Sequence, residues 1–185
     1  MSPLRQARGD RDADAPDEVV WQGRFITARK KGRWEYVSRS RGIRAAVILA
    51  VEDGHVLLVE QFRVPLGKTC IELPAGLIGD DDGKAGEHAT EAAARELEEE
   101  TGYHAERMEV VGEFYSSPGM VSESFTLLRA HGLTRVGEGG GTESEDITVH
   151  RVPLSGIAEA IAGWRAQGHA IDVKMLTLLG PGLLG

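Results

Sequence analysis

Residues 95–102, RELEEETG, limit the possible folds of this chain more than any other part of its sequence. They end a stretch of good helix formers that begins at Glu87, and their final glycine stands where a helix C-terminus is expected. Because residues three and four apart share a helix face, Glu96, Glu99 and Glu100 project together. Such like charges repel one another unless a cation neutralises them, and clustered carboxylate oxygens suit Mg²⁺ or Mn²⁺. The segment therefore predicts a helix that carries a metal site.

The negative charge of the chain is concentrated around the same segment. The formal net charge is -8. Between residues 80 and 100, nine carboxylates face only two basic residues, and the rest of the chain is nearly balanced. The alternative interpretation is a solvated acidic face, but an exposed helix is usually stabilised by interleaved Lys and Glu, and this one has a single arginine in its last three turns. The charge distribution also argues against a nucleic-acid partner, which would require a basic patch.

The length and composition of the chain indicate how many domains it forms and in which compartment it is expected. A chain of 185 residues predicts one compact domain, with room for a small appendage. No apolar run approaches the ~18 residues that span a bilayer, so we expect no membrane partner. The N-terminus has no apolar segment typical of a signal peptide, and Cys70 has no second cysteine with which to form a disulfide. We therefore expect a cytoplasmic protein.

Hydrophobic patterns predict strands around one central helix. Alternating patterns and turn residues indicate strands at VVWQG, RFITARK, RWEYVS, IRAAVILAVE, HVLLVEQF and TCIELP. After the acidic helix, strands are expected at 106–115, 123–130 and DITVHRV, and helices at 153–167 and 172–179. The glycine-rich stretch 131–146 is predicted to be irregular. This order predicts an α/β (α+β) protein, with a mixed sheet and helices on its faces.

The acidic helix resembles the signature of a known family. Residues 95–103 fit the second half of the Nudix box, R-E-U-x-E-E-x-G-U, at every fixed position. Glu87 lies eight residues before Arg95, as the box requires. Asp81 occupies the position of the box glycine, and the nearest equivalent glycine is Gly76. We therefore interpret GDDDGKAG as a five-residue insertion in the loop before the helix.

Further motifs resemble the ADP-ribose pyrophosphatase branch of that family. The proline of Ser117-Pro118-Gly119 follows Tyr103 by 15 residues, a spacing regarded as the marker of this branch. The other matching segments are EQFR at 60–63, ELPAG at 72–76, ESEDI at 143–147 and residues 168–174.

The resemblance implies a Nudix fold, in which a mixed β-sheet is sandwiched between helices. It implies an N-terminal β segment at 18–42 that exchanges strands in a homodimer, followed by a Nudix hydrolase domain at 43–185. Residues 1–17 are polar, charged and without periodicity, which predicts a flexible tail. The implied activity is Mg²⁺-dependent hydrolysis of ADP-ribose to AMP and ribose 5-phosphate, or of a related nucleoside diphosphate sugar to a nucleoside monophosphate and a sugar phosphate. Two alternatives stay open: another nucleoside diphosphate derivative, such as GDP-mannose, UDP-glucose or NADH, and a non-catalytic module that senses a nucleotide.

Residue roles also follow from the resemblance. Glu96 and Glu100 would bind the metal, with Glu99 as a possible bridging ligand. The Ala75 carbonyl and Glu145 would complete the metal shell.

The resemblance also implies which residues act on the attacking water and which bind the substrate. Glu143 would be the base for the water, with Glu99 as the other candidate. Arg63 would hold a phosphate, and Glu72 and Gly76 belong to the same substrate-binding group.

Two further hypotheses concern regions outside the acidic helix. The four glycines between 137 and 141 leave the backbone loose, so we hypothesise a mobile loop that closes over bound substrate and metal. Trp34, Tyr36 and Phe25 could stack an adenine base, although aromatic residues in strands are more often core or dimer contacts.

Overall fold

The structure is a computed structural model that describes residues 11–40, 43–78, 88–142 and 145–184. The chain divides into two compact units, Met1–Gly42 with Ser117–Glu123, and Ile43–Ser116 with Ser124–Gly185. The first unit therefore includes Ser117–Glu123, from the middle of the sequence. The predicted boundaries assign these residues to the Nudix hydrolase domain at 43–185. Most of the predicted flexible tail, residues 1–10, lies outside the described residues.

The first unit is an antiparallel sheet of three strands. They are β1 (Asp17–Gln22), β2 (Ile26–Lys31) and β3 (Trp34–Arg39), in the order β1-β2-β3. The segment Ser117–Glu123 attaches to β3, because the N–H of Val37 donates to the carbonyl of Met120 at 3.0 Å. An ion pair between Arg39 and Glu123 adds a side-chain connection.

In its described residues, the second unit contains a mixed sheet and three α-helices. Its strands are β4 (Arg44–Glu52), β5 (His55–Arg63), β6 (Lys68–Glu72), β7 (Ala75–Ile78), β8 (Tyr103–Tyr115), β9 (Ser124–Arg135), β10 (Thr148–Pro153) and β11 (Ala170–Ile171). Its helices are α1 (Ala89–Thr101), α2 (Ile157–Ala166) and α3 (Leu176–Leu184).

The sheet of this unit mixes parallel and antiparallel pairs. Its main order is β11-β6-β5-β4-β9-β8, with β10 paired to β5 and β7 paired to β4. The β4–β9 and β11–β6 pairs are parallel, and the others are antiparallel. No helix in the described ranges is both long and apolar enough to cross a membrane.

Strand β4 lies between two hydrophobic cores because its alternate side chains point to opposite faces. Ala46 and Ile48 belong to a core that α1 covers through Leu97. Val47 belongs to the other core, to which α2 contributes Ile161. The sheet is thus enclosed by helices on both faces, which confirms the predicted fold class.

Several predicted elements have different limits in the structure. Strand β9 continues to Arg135, so residues 131–135 are regular structure and not loop. Strand β7 occupies residues 75–78, where the sequence predicted a loop from Gly76 onward. Pro153 ends β10, and α2 begins only after a short 3₁₀ turn. The GDDDGKAG insertion and Glu87 lie outside the described residues.

Candidate active site

Helix α1 brings the three predicted metal-binding glutamates to one region of the second unit. Leu97 is fully buried in the core under the helix. Glu100 is only 4% exposed. The side chains of Glu96 and Glu99 are 17% and 42% exposed. The three carboxylates thus extend from the buried edge of the helix to solvent.

The Glu100 carboxylate is held by strand β7. The N–H of Ala75 donates to Glu100 Oε2 at 3.0 Å. Burial raises the pKa of Glu100 from 4.5 to about 8, and the negative charges of Glu96 and Glu145 act in the same direction. The Ala75 N–H and the positive charge of Arg63 oppose this rise only in part. A nearby cation would stabilise the charged form of a buried carboxylate whose pKa is raised this far.

The Glu96 carboxylate lies between an arginine and a glycine. Arg95 Nη1 donates to Glu96 Oε1 at 2.9 Å and to Glu99 Oε2 at 3.1 Å. Burial raises the pKa of Glu96 to about 7, against the opposing effect of Arg95. A Cβ atom at Gly76 would lie 2.1 Å from Cγ and Cδ of Glu96, so any larger residue at this strand position would displace the Glu96 side chain. The close approach supports the interpretation of Gly76 as the displaced box glycine.

Arg63 and Glu72 form a two-pronged ion pair next to these acids. Arg63 Nε and Nη2 donate to the two carboxylate oxygens of Glu72 at 2.6 and 2.8 Å. This hydrogen bonding raises the pKa of Arg63, and Glu100 adds a favourable charge. Glu72 is buried, whereas the Arg63 side chain is 41% exposed. The pair therefore fixes a guanidinium whose remaining Nη1 group can bind an anion.

The segment before β10 supplies the fourth acidic residue. Thr142 donates to Glu145 Oε2 from its N–H at 3.0 Å and from its hydroxyl at 3.1 Å. The Glu145 charge contributes to the raised pKa of Glu96 and of Glu100. Sequence reasoning missed Thr142, although a threonine three residues before a predicted metal ligand is a recognisable signal. Glu143, the predicted base, lies outside the described residues.

The donor set fits a hard divalent cation by its chemistry. Four carboxylates and the Ala75 carbonyl are the oxygen ligands that Mg²⁺ and Mn²⁺ prefer. In the described part of the chain, no three His, Cys, Asp or Glu side chains are already arranged to hold a metal ion. The carboxylates instead accept hydrogen bonds from Arg95, Thr142 and the Ala75 N–H. The raised pKa values of Glu96 and Glu100 show that these partners leave their buried charge poorly compensated.

The first unit contains a separate aromatic cavity of about 320 Å³. Trp34 and Tyr36 line it, together with Pro118, Gly119 and Val121. Two of the three predicted stacking residues thus share one cavity with the Ser-Pro-Gly motif, and Phe25 is not among its lining residues. Adenine stacking stays a prediction for this cavity.

Clustered carboxylates on a helix, beside a fixed arginine, define a class of site that binds divalent cations and phosphate groups. Residues 40–170 match the family model described as NUDIX domain. The chain belongs to the Nudix family and is a Nudix hydrolase, as the acidic helix predicted. Nudix hydrolases generally need a divalent metal ion.

Three curated proteins are similar in sequence to most of this chain. An uncharacterized Nudix hydrolase of Schizosaccharomyces pombe is 35% identical over 176 residues, which cover 86% of this chain and 80% of that protein. An ADP-ribose pyrophosphatase of Saccharomyces cerevisiae is 36% identical over 171 residues, covering 85% and 67%. A GDP-mannose pyrophosphatase of Cronobacter sakazakii is 38% identical over 149 residues, covering 75% and 72%.

Other comparisons support the branch and the fold. Matches to several further curated relatives span 45% to 56% of those proteins' lengths, and one of these is an ADP-ribose pyrophosphatase of Bacillus subtilis. The crystal structure of an ADP compounds hydrolase matches with a TM-score of 0.67, 23% identity and 92% coverage of both chains. The structural match shows the fold, and the named relatives support the predicted ADP-ribose pyrophosphatase branch.

Proposed function

We propose that this Nudix hydrolase cleaves the diphosphate bond of ADP-ribose, or of a closely related nucleoside diphosphate sugar, with Mg²⁺ or Mn²⁺. Water would add to one phosphorus, the bridging oxygen would leave, and the products would be a nucleoside monophosphate and a sugar phosphate. The observation that carries the proposal is the cluster of poorly compensated carboxylates around Glu100, beside the fixed guanidinium of Arg63.

Each residue of the cluster has a proposed task. Glu96, Glu99, Glu100 and Glu145, with the Ala75 carbonyl, would hold the cation. When bound, the cation would neutralise the diphosphate, polarise phosphorus and lower the pKa of a water. Without it, a protein of net charge -8 repels a diphosphate.

The remaining tasks fall to residues around the cation. Arg63 would bind a phosphate oxygen through its Nη1 group, and Glu72 would keep the guanidinium in place. Gly76 would allow the close approach of β7 to α1. Glu143 would accept the proton of the attacking water, with Glu99 as the other candidate.

A second candidate substrate is a GDP-sugar. The Cronobacter sakazakii relative, a GDP-mannose pyrophosphatase, aligns over 75% of this chain. The diphosphate chemistry would be the same, and only the base-binding contacts would differ. A homodimer and a cytoplasmic location complete the proposal.

A substrate panel tests the proposal directly. ADP-ribose, GDP-mannose, UDP-glucose and NADH are incubated with Mg²⁺, and the phosphate released by added phosphatase is measured. We expect cleavage that chelator abolishes and that Mg²⁺ or Mn²⁺ restores. Activity that survives excess chelator would contradict the metal mechanism, and no cleavage of any panel member would contradict the proposed function.

A matched pair of variants locates the activity on α1. Glu100→Gln should lower kcat by at least 100-fold and leave the fold intact, because the group faces a polar site. Glu98→Gln on the same helix is the control, since its carboxylate is exposed and contacts His104. Equal activities of the two variants would place the site elsewhere.

A further inference from the structure

The C-terminal end of α1 is covered by the glycine-rich residues 137–141, which we call the glycine bracket. The last carbonyl groups of a helix have no partner within it and need one from elsewhere. The N–H of Gly140 donates to the carbonyl of Glu100 at 2.8 Å. The N–H of Gly141 donates to the carbonyl of Glu99 at 3.0 Å. The bracket is therefore hydrogen-bonded to the backbone of two site residues.

The glycines of the bracket permit close backbone contact. Gly139 has φ 70°, and a Cβ there would lie 2.5 Å from the carbonyl carbon of Thr101 and 2.8 Å from the nitrogen of Gly102. Both contacts are to backbone, which cannot turn aside as the end of a side chain can. Glycine at this position is thus required by packing against α1, and the mobility predicted for the loop stays a prediction.

The bracket leads directly to the fourth carboxylate of the site. Thr142 follows it and donates to Glu145 Oε2 from both its N–H and its hydroxyl. The N–H of Glu145 donates back to the Thr142 carbonyl at 2.9 Å. The bracket is therefore hydrogen-bonded to the carbonyls of α1, and the next residue along the chain, Thr142, is hydrogen-bonded to the carboxylate of Glu145.

We propose that Gly139 and Thr142 are positioning residues, which set the Glu145 carboxylate relative to the carboxylates of α1. This inference rests on the proposed function of the same site. Gly139 would act by letting the bracket dock on α1, and Thr142 by orienting Glu145 Oε2. Such supporting residues around a metal site typically affect metal affinity or activity by 10–100-fold.

Thr142 gives the sharpest test, because one variant removes its hydroxyl and another keeps it. Thr142→Val keeps the shape of the side chain and the N–H but loses the hydroxyl donor. We expect about 10-fold weaker Mn²⁺ binding, measured by electron paramagnetic resonance without substrate, and a lower kcat at a similar KM. Thr142→Ser retains the hydroxyl and should restore both values. If Thr142→Val binds Mn²⁺ and turns over as the unaltered protein does, the role of Thr142 is refuted.

Gly139→Ala tests the docking of the bracket. We expect weaker Mn²⁺ binding, and in the metal-free protein faster hydrogen exchange of the amides of Gly140 and Gly141. Gly137→Ala is the matched control, because the nearest atom to its added Cβ would be 3.9 Å away and its N–H is retained. If both variants exchange and bind Mn²⁺ alike, docking through Gly139 is refuted.

The two proposals can fail separately. If Gly139→Ala lowers the melting temperature but leaves Mn²⁺ affinity unchanged, the substitution affects stability alone. That result would refute the positioning role of Gly139. A protein that binds Mn²⁺ but cleaves no diphosphate would refute the proposed function, while the Mn²⁺ affinities of the Thr142 variants would still decide the positioning role.

Discussion

Glu72 and Glu100 are both buried acids, yet the chain balances their charges differently. Glu72 accepts both prongs of the Arg63 guanidinium. Glu100 accepts the Ala75 N–H and lies among other carboxylates, and burial raises its pKa to about 8. Arg63 alone compensates the charge of Glu72, whereas the charge of Glu100 is compensated when a cation is added. This difference supports the proposed roles, in which Glu72 holds Arg63 and Glu100 binds a metal ion.

The raised pKa values predict how the stability of the metal-free protein depends on pH. Between pH 4.5 and about 8, folded protein retains a proton on Glu100 that the unfolded chain releases. The free energy of unfolding therefore falls as pH rises through this window, and Glu96, with a pKa near 7, adds to the fall. In excess chelator we expect the melting temperature to drop by several degrees from pH 5 to pH 9, at about 2–4 °C per kcal/mol.

The Glu100→Gln variant is the control for this pH dependence. It has no ionisable group at position 100, so its melting temperature should decline less over the same range. Added Mg²⁺ should flatten the curve of the unaltered protein, because a cation stabilises the charged carboxylates. Parallel curves for the protein and the variant would contradict the assignment of the effect to Glu100.

The Arg63–Glu72 pair predicts a different kinetic signature. Arg63→Lys keeps the charge but loses the two-pronged geometry, so we expect KM to rise about 10-fold with a smaller change in kcat. Glu72→Gln should raise KM in the same way and destabilise the fold by about 1–3 kcal/mol, because it places amide donors against guanidinium donors. Lys68→Gln, which removes an exposed charge from β6, is the control. An unchanged KM in Arg63→Lys would exclude Arg63 from substrate binding.

Helix α1 was predictable because its sequence signal is local. The helix formers, the apolar stripe through Ala93 and Leu97, and the terminal Gly102 all lie within fifteen residues. Strand β7 was missed because Gly76 argues against a strand, and only its pairing with β4 and its approach to α1 explain the glycine. The packing of the glycine bracket on α1 was not predicted for the same reason: composition cannot distinguish a mobile backbone from one that must approach another closely.

The contact between β7 and α1 predicts the effect of adding one methyl group. In Gly76→Ala, the new Cβ would overlap Glu96, so the carboxylate must shift from its place beside Arg95. We expect kcat to fall at least 10-fold and Mn²⁺ to bind more weakly, with a cooperative melting transition retained. Gly163→Ala in α2 is the control, since its Cβ would meet nothing within 4 Å. Normal turnover in Gly76→Ala would show that this close approach has no role in the site.

At the scale of the whole molecule, the sequence predicted the family and the sheet. It did not predict which residues belong to each of the two compact units. Ser117–Glu123 belongs with the N-terminal sheet through the Val37 and Arg39 contacts. These contacts join residues more than eighty positions apart, and no local pattern encodes them. Glu145 joins the acids of α1 for a comparable non-local reason, and its place among them was predictable only through the resemblance to a family.

The N-terminal sheet leads to the last prediction, which concerns the oligomeric state. Every residue of β1 is exposed, and Val20 and Trp21 are 66% and 57% exposed. An edge strand with large exposed apolar side chains is typical of a surface that another chain covers. We therefore expect a homodimer at micromolar concentration, with these side chains in the interface. Trp21→Glu should give a monomeric mass by light scattering, whereas Lys30→Glu, at an exposed polar position of β2, should leave the dimer intact. A monomeric mass for the unaltered protein would contradict the prediction.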